Sequence, residues 1–325
     1  MRPVFTLSFG LLLGIFGCKT ADPVAGRVLD AGEPAAFPSK PTTQLNIAAT
    51  IDTGFADWMG TGFGSLWTNS GGFLKRIDPA THQVVAQIKV NGSPYRGVGV
   101  GLGAVWIPSV GENTIQRIDP ATNLVSATYP ITLAGGSEGS IGVGEGAVWA
   151  VTSNGGTNAG TLTRMDPATG KVVADIPVSP DSHGVLVESG FVWVTSYAAG
   201  TVIKVDPATN TVVADIPVKK GPRFLAGGLG AVWVLCQGTG TVARIDPATN
   251  AVVADIDTKT PGGGGDVATG EGAVWVTVFG KPVTRIDPLT NTVVAQFVGN
   301  GFGDAIRAGE GYVWVSGAKI WQITP

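Results

Sequence analysis

Seven tryptophans pace this chain. Trp67, Trp106, Trp149, Trp193, Trp233, Trp275 and Trp314 each follow an apolar residue in a strand-like run, at gaps of 39, 43, 44, 40, 42 and 39 residues. After each of the first six comes a near-copy of one phrase: Arg76-Ile77-Asp78-Pro79-Ala80-Thr81 in the first, Arg117-Ile118-Asp119-Pro120-Ala121-Thr122-Asn123 in the second. A period near 40 residues made of short strands marks a repeat whose units bury their faces only against one another, one four-stranded sheet per repeat. The sequence therefore predicts an all-β fold, a seven-bladed β-propeller. Propellers host unrelated functions, so the repeat by itself names none.

The fifth copy shows the layout. Residues 226–228 end an inner strand, and Leu229-Gly230 turns. Residues 231–237 form a second strand carrying Trp233, and Gly238-Thr239-Gly240 turns again. A third strand runs over 241–245 and a fourth over 251–256, joined by the Asp246 turn. In that turn Asp accepts hydrogen bonds from backbone N–H groups and Pro presets φ. The fifth residue, His82, Asn123, Gly170, Asn210, Asn250 or Asn291, is of a type that tolerates left-handed φ. Six like turns point to a folding device, not to a ring of metal-binding carboxylates. One large aromatic per blade likewise fills the wedge between neighbouring sheets. The seventh copy has strands over 304–308, 312–316 and 319–323 and then ends, lacking a fourth. Residues 44–51 resemble the fourth strands, and an N-terminal strand is expected to close the last blade.

With 44% hydrophobic and 14% charged residues, the chain has the composition of a large core, and disorder is excluded. A net charge of −3 without a basic cluster excludes nucleic acid as the partner. At the N-terminus, Arg2 precedes an apolar run over 4–16 that is too short to span a bilayer comfortably. It ends in Ile15-Phe16-Gly17-Cys18, which resembles a bacterial lipobox. The expected organisation is a lipoprotein-type signal peptide over 1–18, lipidated at Cys18, a flexible linker over 19–42 and the propeller over 43–325. A lipobox with Lys19 rather than Asp after the Cys implies the bacterial cell envelope, at the outer membrane facing the periplasm; an ordinary signal would make the protein secreted. The lipid anchor is the one expected membrane contact, and a monomer is expected. Cys236 follows Trp233-Val234-Leu235 and is expected as a packed thiol.

The Asp-Pro-Ala-Thr turns mark one face of the ring. At the opposite face the inner strands enter the central channel, and stepping ten residues back from each Trp indexes that funnel. The positions are Asp57, Arg96, Gly139, His183, Arg223, Gly265 and Asp304, with Trp58, Tyr95, Glu138 and Asp266 beside them. These slots differ from copy to copy, whereas the packing positions repeat. Two Arg, one His and four carboxylates around one mouth suit a polar or charged ligand. His183 is the sharpest candidate for acid–base work. The 153–158 loop, Ser196-Tyr197 and Phe279-Gly280-Lys281 are expected at the rim. No phosphate loop, serine elbow, paired-His or Cys-x-x-Cys motif occurs.

The phrase Gly240-Thr241-Val242-Ala243-Arg244-Ile245-Asp246-Pro247-Ala248-Thr249-Asn250 resembles the repeat of the YVTN family of seven-bladed propellers. It is also similar to streptogramin (virginiamycin B) lyase-like propellers. The resemblance spans about 43–325. The YVTN likeness implies an envelope binding protein without chemistry of its own. The lyase likeness implies elimination at the ester of a cyclic depsipeptide, with Mg²⁺ and a catalytic His at the channel mouth. Ser182-His183-Gly184 matches the lyase Pro-His-Gly phrase in its last two residues, which carries the catalytic role onto His183. The sixth copy has Gly264-Gly265-Asp266-Val267 at the equivalent place, without a His. Trp193-Val194-Thr195-Ser196 stands where lyase repeats have Trp-Phe-Thr-Glu. Mg²⁺, under that reading, would take Glu138, Asp266 and Asp304 as oxygen ligands. The first expectation is non-enzymatic binding of a small molecule or envelope protein at the funnel, with no cofactor. The alternative is a Mg-dependent carbon–oxygen lyase or hydrolase with His183 as acid–base. A scaffold using its outer rim is the third.

Overall fold

In a computed structural model, the described residues are 37–92, 97–138, 140–153, 160–262, 264–299 and 303–325. The expected signal segment with Cys18, most of the expected linker and loop positions 154–158 fall outside them. Seven antiparallel sheets follow in chain order, one per Trp repeat. Blade 5 is typical, with strands Pro222–Gly228, Ala231–Cys236, Thr241–Asp246 and Ala251–Asp257 from the channel outward. The other inner strands are Met59–Gly62, Gly99–Gly101, Ile141–Gly144, Ser182–Glu188, Asp266–Gly270 and Ile306–Gly309. Each packs against the inner strand of the next blade, and that of blade 7 against that of blade 1, so the sheets form a ring. The outermost strand of blade 7 is Ile47–Ile51, paired antiparallel with Ile320–Ile323.

The local chemistry of each hairpin accounts for the repeat. The inner and second strands are joined by two residues that both have positive φ, such as Leu229 at 54° and Gly230 at 75°. That is the type I′ geometry whose twist matches the flanking strands. At the Asp turns, the Asp246 carboxylate accepts the Ala248 and Thr249 N–H groups, and Asn250 sits at φ 60°. Such backbone donors hold the Asp78, Asp119, Asp166, Asp246 and Asp287 carboxyls below their ordinary value.

Each Trp is buried, donates its indole N–H to the carbonyl five residues earlier, and lies in a cluster drawn from two neighbouring blades. Trp233, for example, donates to the Gly228 carbonyl at 3.1 Å and packs with Val267, Val274 and Val276 of blade 6. The inner strands come close enough that glycine is needed between them. A Cβ on Gly142 would stand 3.0 Å from the Val185 side chain of the next blade.

The basic residue of the repeated phrase has a job the sequence did not disclose. Arg244 reaches into the Asp turn of blade 6, donating to the Pro288 carbonyl and to Asn291 Oδ1, both at 2.9 Å. Arg76, Arg164 and Lys204 do the same one blade on. Blade 2 departs from the rule. Blade 3 has Gly170 in place of Asn, so Arg117 bonds Ser126 Oγ in its own sheet, and the Tyr129 hydroxyl takes the Ala168 carbonyl instead. Replacing Arg244 with Leu is expected to cost about 1–3 kcal/mol of unfolding free energy. Arg117→Leu, which breaks no contact between blades, is expected to cost less than half of that. Equal losses in urea titrations would show that the latch is not the source.

The tether ends earlier than the expected boundary at 42. Ser39–Pro41 adds a fifth strand to blade 6, parallel to Gln296–Val298, and a 3-10 turn follows over Thr42–Gln44. The outer strand of that blade offers a free edge, and Pro is tolerated there because an edge strand can leave one side unpaired. Among the described residues no helix is long and apolar enough to cross a membrane.

Candidate functional site

Where the inner strands begin, on the face opposite the Asp turns, the channel opens into a cavity of about 300 Å³. The ring geometry brings residues from five blades to it. Asp57 and Asp304 sit just before the inner strands of blades 1 and 7, and Asp266 opens that of blade 6. Arg223 is the second residue of the blade 5 inner strand. Glu138 caps a 3-10 turn at φ 52° ahead of blade 3. Trp58 lies beside Asp57, and its ring meets Phe224 edge-on at 5.3 Å. Seven of the indexed residues therefore line one space: Asp57, Trp58, Glu138, Arg223, Gly265, Asp266 and Asp304. Tyr95 and Arg96 lie outside the described residues, as does Gly139.

His183 is not among those lining residues. The blade 4 inner strand already begins at Ser182, and its pairing shifts register between Ser182 and Val185. The His183 ring is 8% exposed, bonds Asp181 Oδ1 through Nε2 at 3.0 Å and meets Tyr197 edge-on at 5.6 Å. Its Nδ1 is buried without a hydrogen-bond partner. The funnel index places a residue by spacing alone. Arg223 holds the same second place in its strand and does line the cavity, so it is the Asp181 and Tyr197 contacts that keep the His183 ring in the wall.

Four lining residues were missed by the index: Gly264, Ala305, Phe224 and Gln237. Phe224 is the strand neighbour of Arg223. Gln237 follows the second strand of blade 5, a slot that counting back from Trp never samples. Gln237 is 2% exposed and donates Nε2 to the Gly264 and Gly265 carbonyls at 3.0 and 3.3 Å, while its Oε1 has no partner. Cys236, one residue earlier, is fully buried, and burial pushes its thiol up to about 12, the packed thiol expected.

The charges are organised in three pairs. Arg223 bonds Glu138. Arg307 bonds Asp266, which is 4% exposed and also accepts the Val267 N–H at 2.8 Å. Asp57 and Asp304 are neighbours in the cavity wall, neither bonded to an arginine among the described residues, and each bears on the other's ionisation. Burial raises Asp57 to about 7, aided by the neighbouring charges of Asp304 and Asp266 against the pull of Arg307. Asp304 is raised as well, chiefly by burial. Two half-buried carboxyls that interact in this way titrate as a pair, one of them keeping its proton up to about pH 7.

The residues do not fit the Mg²⁺ that the lyase resemblance implies. A hard dication needs several converging oxygen ligands. Glu138 and Asp266 are each engaged by a guanidinium, and among the described residues no three His, Cys, Asp or Glu side chains converge closely enough to hold a metal ion. Below the cavity the channel narrows to about 60 Å³ beside Asp266 and Arg307. It widens again to about 310 Å³ where Val100, Val143 and Val187 line it together with Thr61, Thr269 and Arg307.

No family model and no curated protein matches the chain. Solved structures do. A streptogramin B lyase structure shares 18% identity at a TM-score of 0.70, covering 86% of this chain and 96% of that one. Selenomethionine-substituted virginiamycin B lyase from Staphylococcus aureus shares 16% at 0.69, covering 86% and 98%. A catalytically inactive histidine-to-alanine variant of the same enzyme with quinupristin shares 15% at 0.70, covering 85% and 98%. At such identities the likeness is one of fold: this chain is a seven-bladed propeller similar in architecture to the streptogramin B lyases.

Proposed function

We propose that this protein binds a small polar molecule at the mouth of its propeller and does not itself transform it. The observation that carries the reading is the convergence of residues from five blades on one cavity of about 300 Å³, with a mixed set of charges and an aromatic wall. The variable slots of an otherwise regular repeat meet there, as a recognition site requires. Export and anchoring through Cys18, as expected from the N-terminus, would present that mouth in the cell envelope. The alternative, a streptogramin lyase-like carbon–oxygen lyase with His183 as acid–base, has the fold likeness behind it. It has against it a His183 bonded to Asp181 and an oxygen set already held by arginines.

The test is ligand capture from a small-molecule extract, followed by mass spectrometry of what the protein retains through gel filtration. Wild type is expected to retain at least one species that Trp58→Ala loses by about tenfold or more, since truncating a buried aromatic in a binding site costs about 2 kcal/mol or more. Equal retention by both chains would sink the funnel reading. Recovery of the captured molecule with a broken carbon–oxygen bond would replace it with the lyase.

A further inference from the structure

We propose that the mouth cavity recognises an organic ammonium group, whose N–H donors are taken by Gln237 Oε1 and the paired carboxyls of Asp57 and Asp304. The inference rests on the funnel-binding reading and names the ligand class for it.

Two independent observations lead to it. The first is the orphaned acceptor. Gln237 is nearly fully buried in the cavity wall, and its Nε2 is committed to two backbone carbonyls, which settles which end of the amide is which. Its Oε1 is left without a donor. A buried acceptor without a donor costs free energy that a bound N–H or O–H recovers. The second is the charge left over. Among the described residues both arginines at the site bond a carboxylate, Arg223 to Glu138 and Arg307 to Asp266. Among those residues the Asp57–Asp304 pair has no arginine or lysine bonded to it, and Arg307 and Arg223 act on it only at longer range. Arg223 Nε is an unpaired donor in the same region, set against the Gln237 oxygen and these two carboxyls. An anion entering this space would meet the excess carboxylate. A neutral hydroxyl would satisfy Gln237 and leave the charge. An ammonium does both, and the Trp58–Phe224 wall offers apolar and π surface to the carbon next to the nitrogen.

The site also couples binding to proton release. An ammonium facing Asp57 favours the form in which the pair has lost its shared proton. Asp304, Asp266 and Arg307 bear on Asp57, Arg223 and Asp266 bear on Asp304, and Glu138 lines the same space. As pH falls below about 7 the pair regains its proton, and affinity for a permanent cation declines by up to about tenfold per pH unit.

Titration calorimetry with benzylammonium, benzyl alcohol and benzoate as shape-matched probes tests this. At pH 8 benzylammonium is expected to bind saturably and at least about tenfold more tightly than either partner probe, since hydrogen bonds to charged groups are worth about 1.5–3 kcal/mol. Its affinity should fall several-fold between pH 7 and pH 6 in the wild-type chain, a readout that needs no variant. Gln237→Leu should weaken it by about tenfold, and Asp304→Asn serves as the second variant should the first not fold. No saturable benzylammonium binding, equal binding of the alcohol or benzoate, or a flat pH profile would each overturn the assignment. If a non-basic molecule is captured from extract by wild type and lost by Trp58→Ala, the ammonium class falls while the funnel reading stands.

Discussion

Replacing Trp233 by Ala is expected to cost about 3–5 kcal/mol of unfolding free energy, a large share of what a domain of this kind has. The size follows from where the ring sits. It is fully buried, and its neighbours come from two sheets: Leu235, Val242 and Ile256 of its own blade, and Val267, Val274, Val276 and Ile286 of the next. Truncation opens a cavity in the wedge between blades, where neither sheet can collapse without bending. It also orphans the Gly228 carbonyl and removes the surface on which the Arg244 guanidinium lies, 5.2 Å from the ring centre. Leu289, the most exposed large apolar side chain at 89%, supplies the control: Leu289→Ala should move the urea midpoint by less than about 0.5 kcal/mol equivalent. A Trp233→Ala loss below about 1 kcal/mol would mean that the wedge is filled by something other than the tryptophan ring.

That tryptophan also shows how much of the molecule could be read in advance. A residue that every blade needs recurs every blade, so the period, the blade number and the αL slot at Asn250 were visible as repetition. The variable slots were visible as exceptions to it, and seven of them meet in one cavity. What could not be seen was contact across large sequence distance. The basic residue of the Arg244 slot recurs in six copies, once as Lys204, yet the partners of Arg244, Pro288 and Asn291, lie 44 and 47 residues on, and no local pattern reports such a reach. His183 looked like a funnel residue because it stands at the right count from Trp193, but Asp181 and Tyr197 hold it in the wall. The Arg223–Glu138 and Arg307–Asp266 pairs were hidden for the same reason. Pairing among charges at one mouth is decided by side-chain reach from different blades, and it is this pairing that withdraws the proposed Mg²⁺ ligands. Ser39–Pro41 escaped notice because a Pro-bearing triplet signals tether unless a free edge is known to await it.

The pairing of charges leads to an unusual pH dependence. Wild-type stability is expected to decline as pH rises from 5 to 8, and Asp57→Asn is expected to remove most of that decline. Asp57 is raised from 3.8 to about 7 in the folded chain, so between those values the folded state holds a proton that the unfolded state has released. Stability from this group is therefore complete below about pH 4 and is lost as pH climbs through 7. At about 1.4 kcal/mol per pH unit the ceiling is near 4 kcal/mol; sharing of the proton with Asp304 brings the expected loss to about 2–3 kcal/mol. The turn carboxylates, Asp78, Asp119, Asp166, Asp246 and Asp287, have the opposite sign, because their values are lowered. Their contribution is lost only as pH falls below the ordinary carboxyl range, outside the window measured. Both histidines are present in both chains and cancel in the difference. Asn at position 57 keeps the shape of the protonated acid and donates an N–H to Asp304 at every pH, so the variant should be the more stable chain at pH 8 by about 2 kcal/mol and close to wild type at pH 5. Chemical denaturation of both chains at four pH values reads this directly. Parallel curves would show that Asp57 and Asp304 share no proton, and would take the proton-release argument for ammonium binding with them.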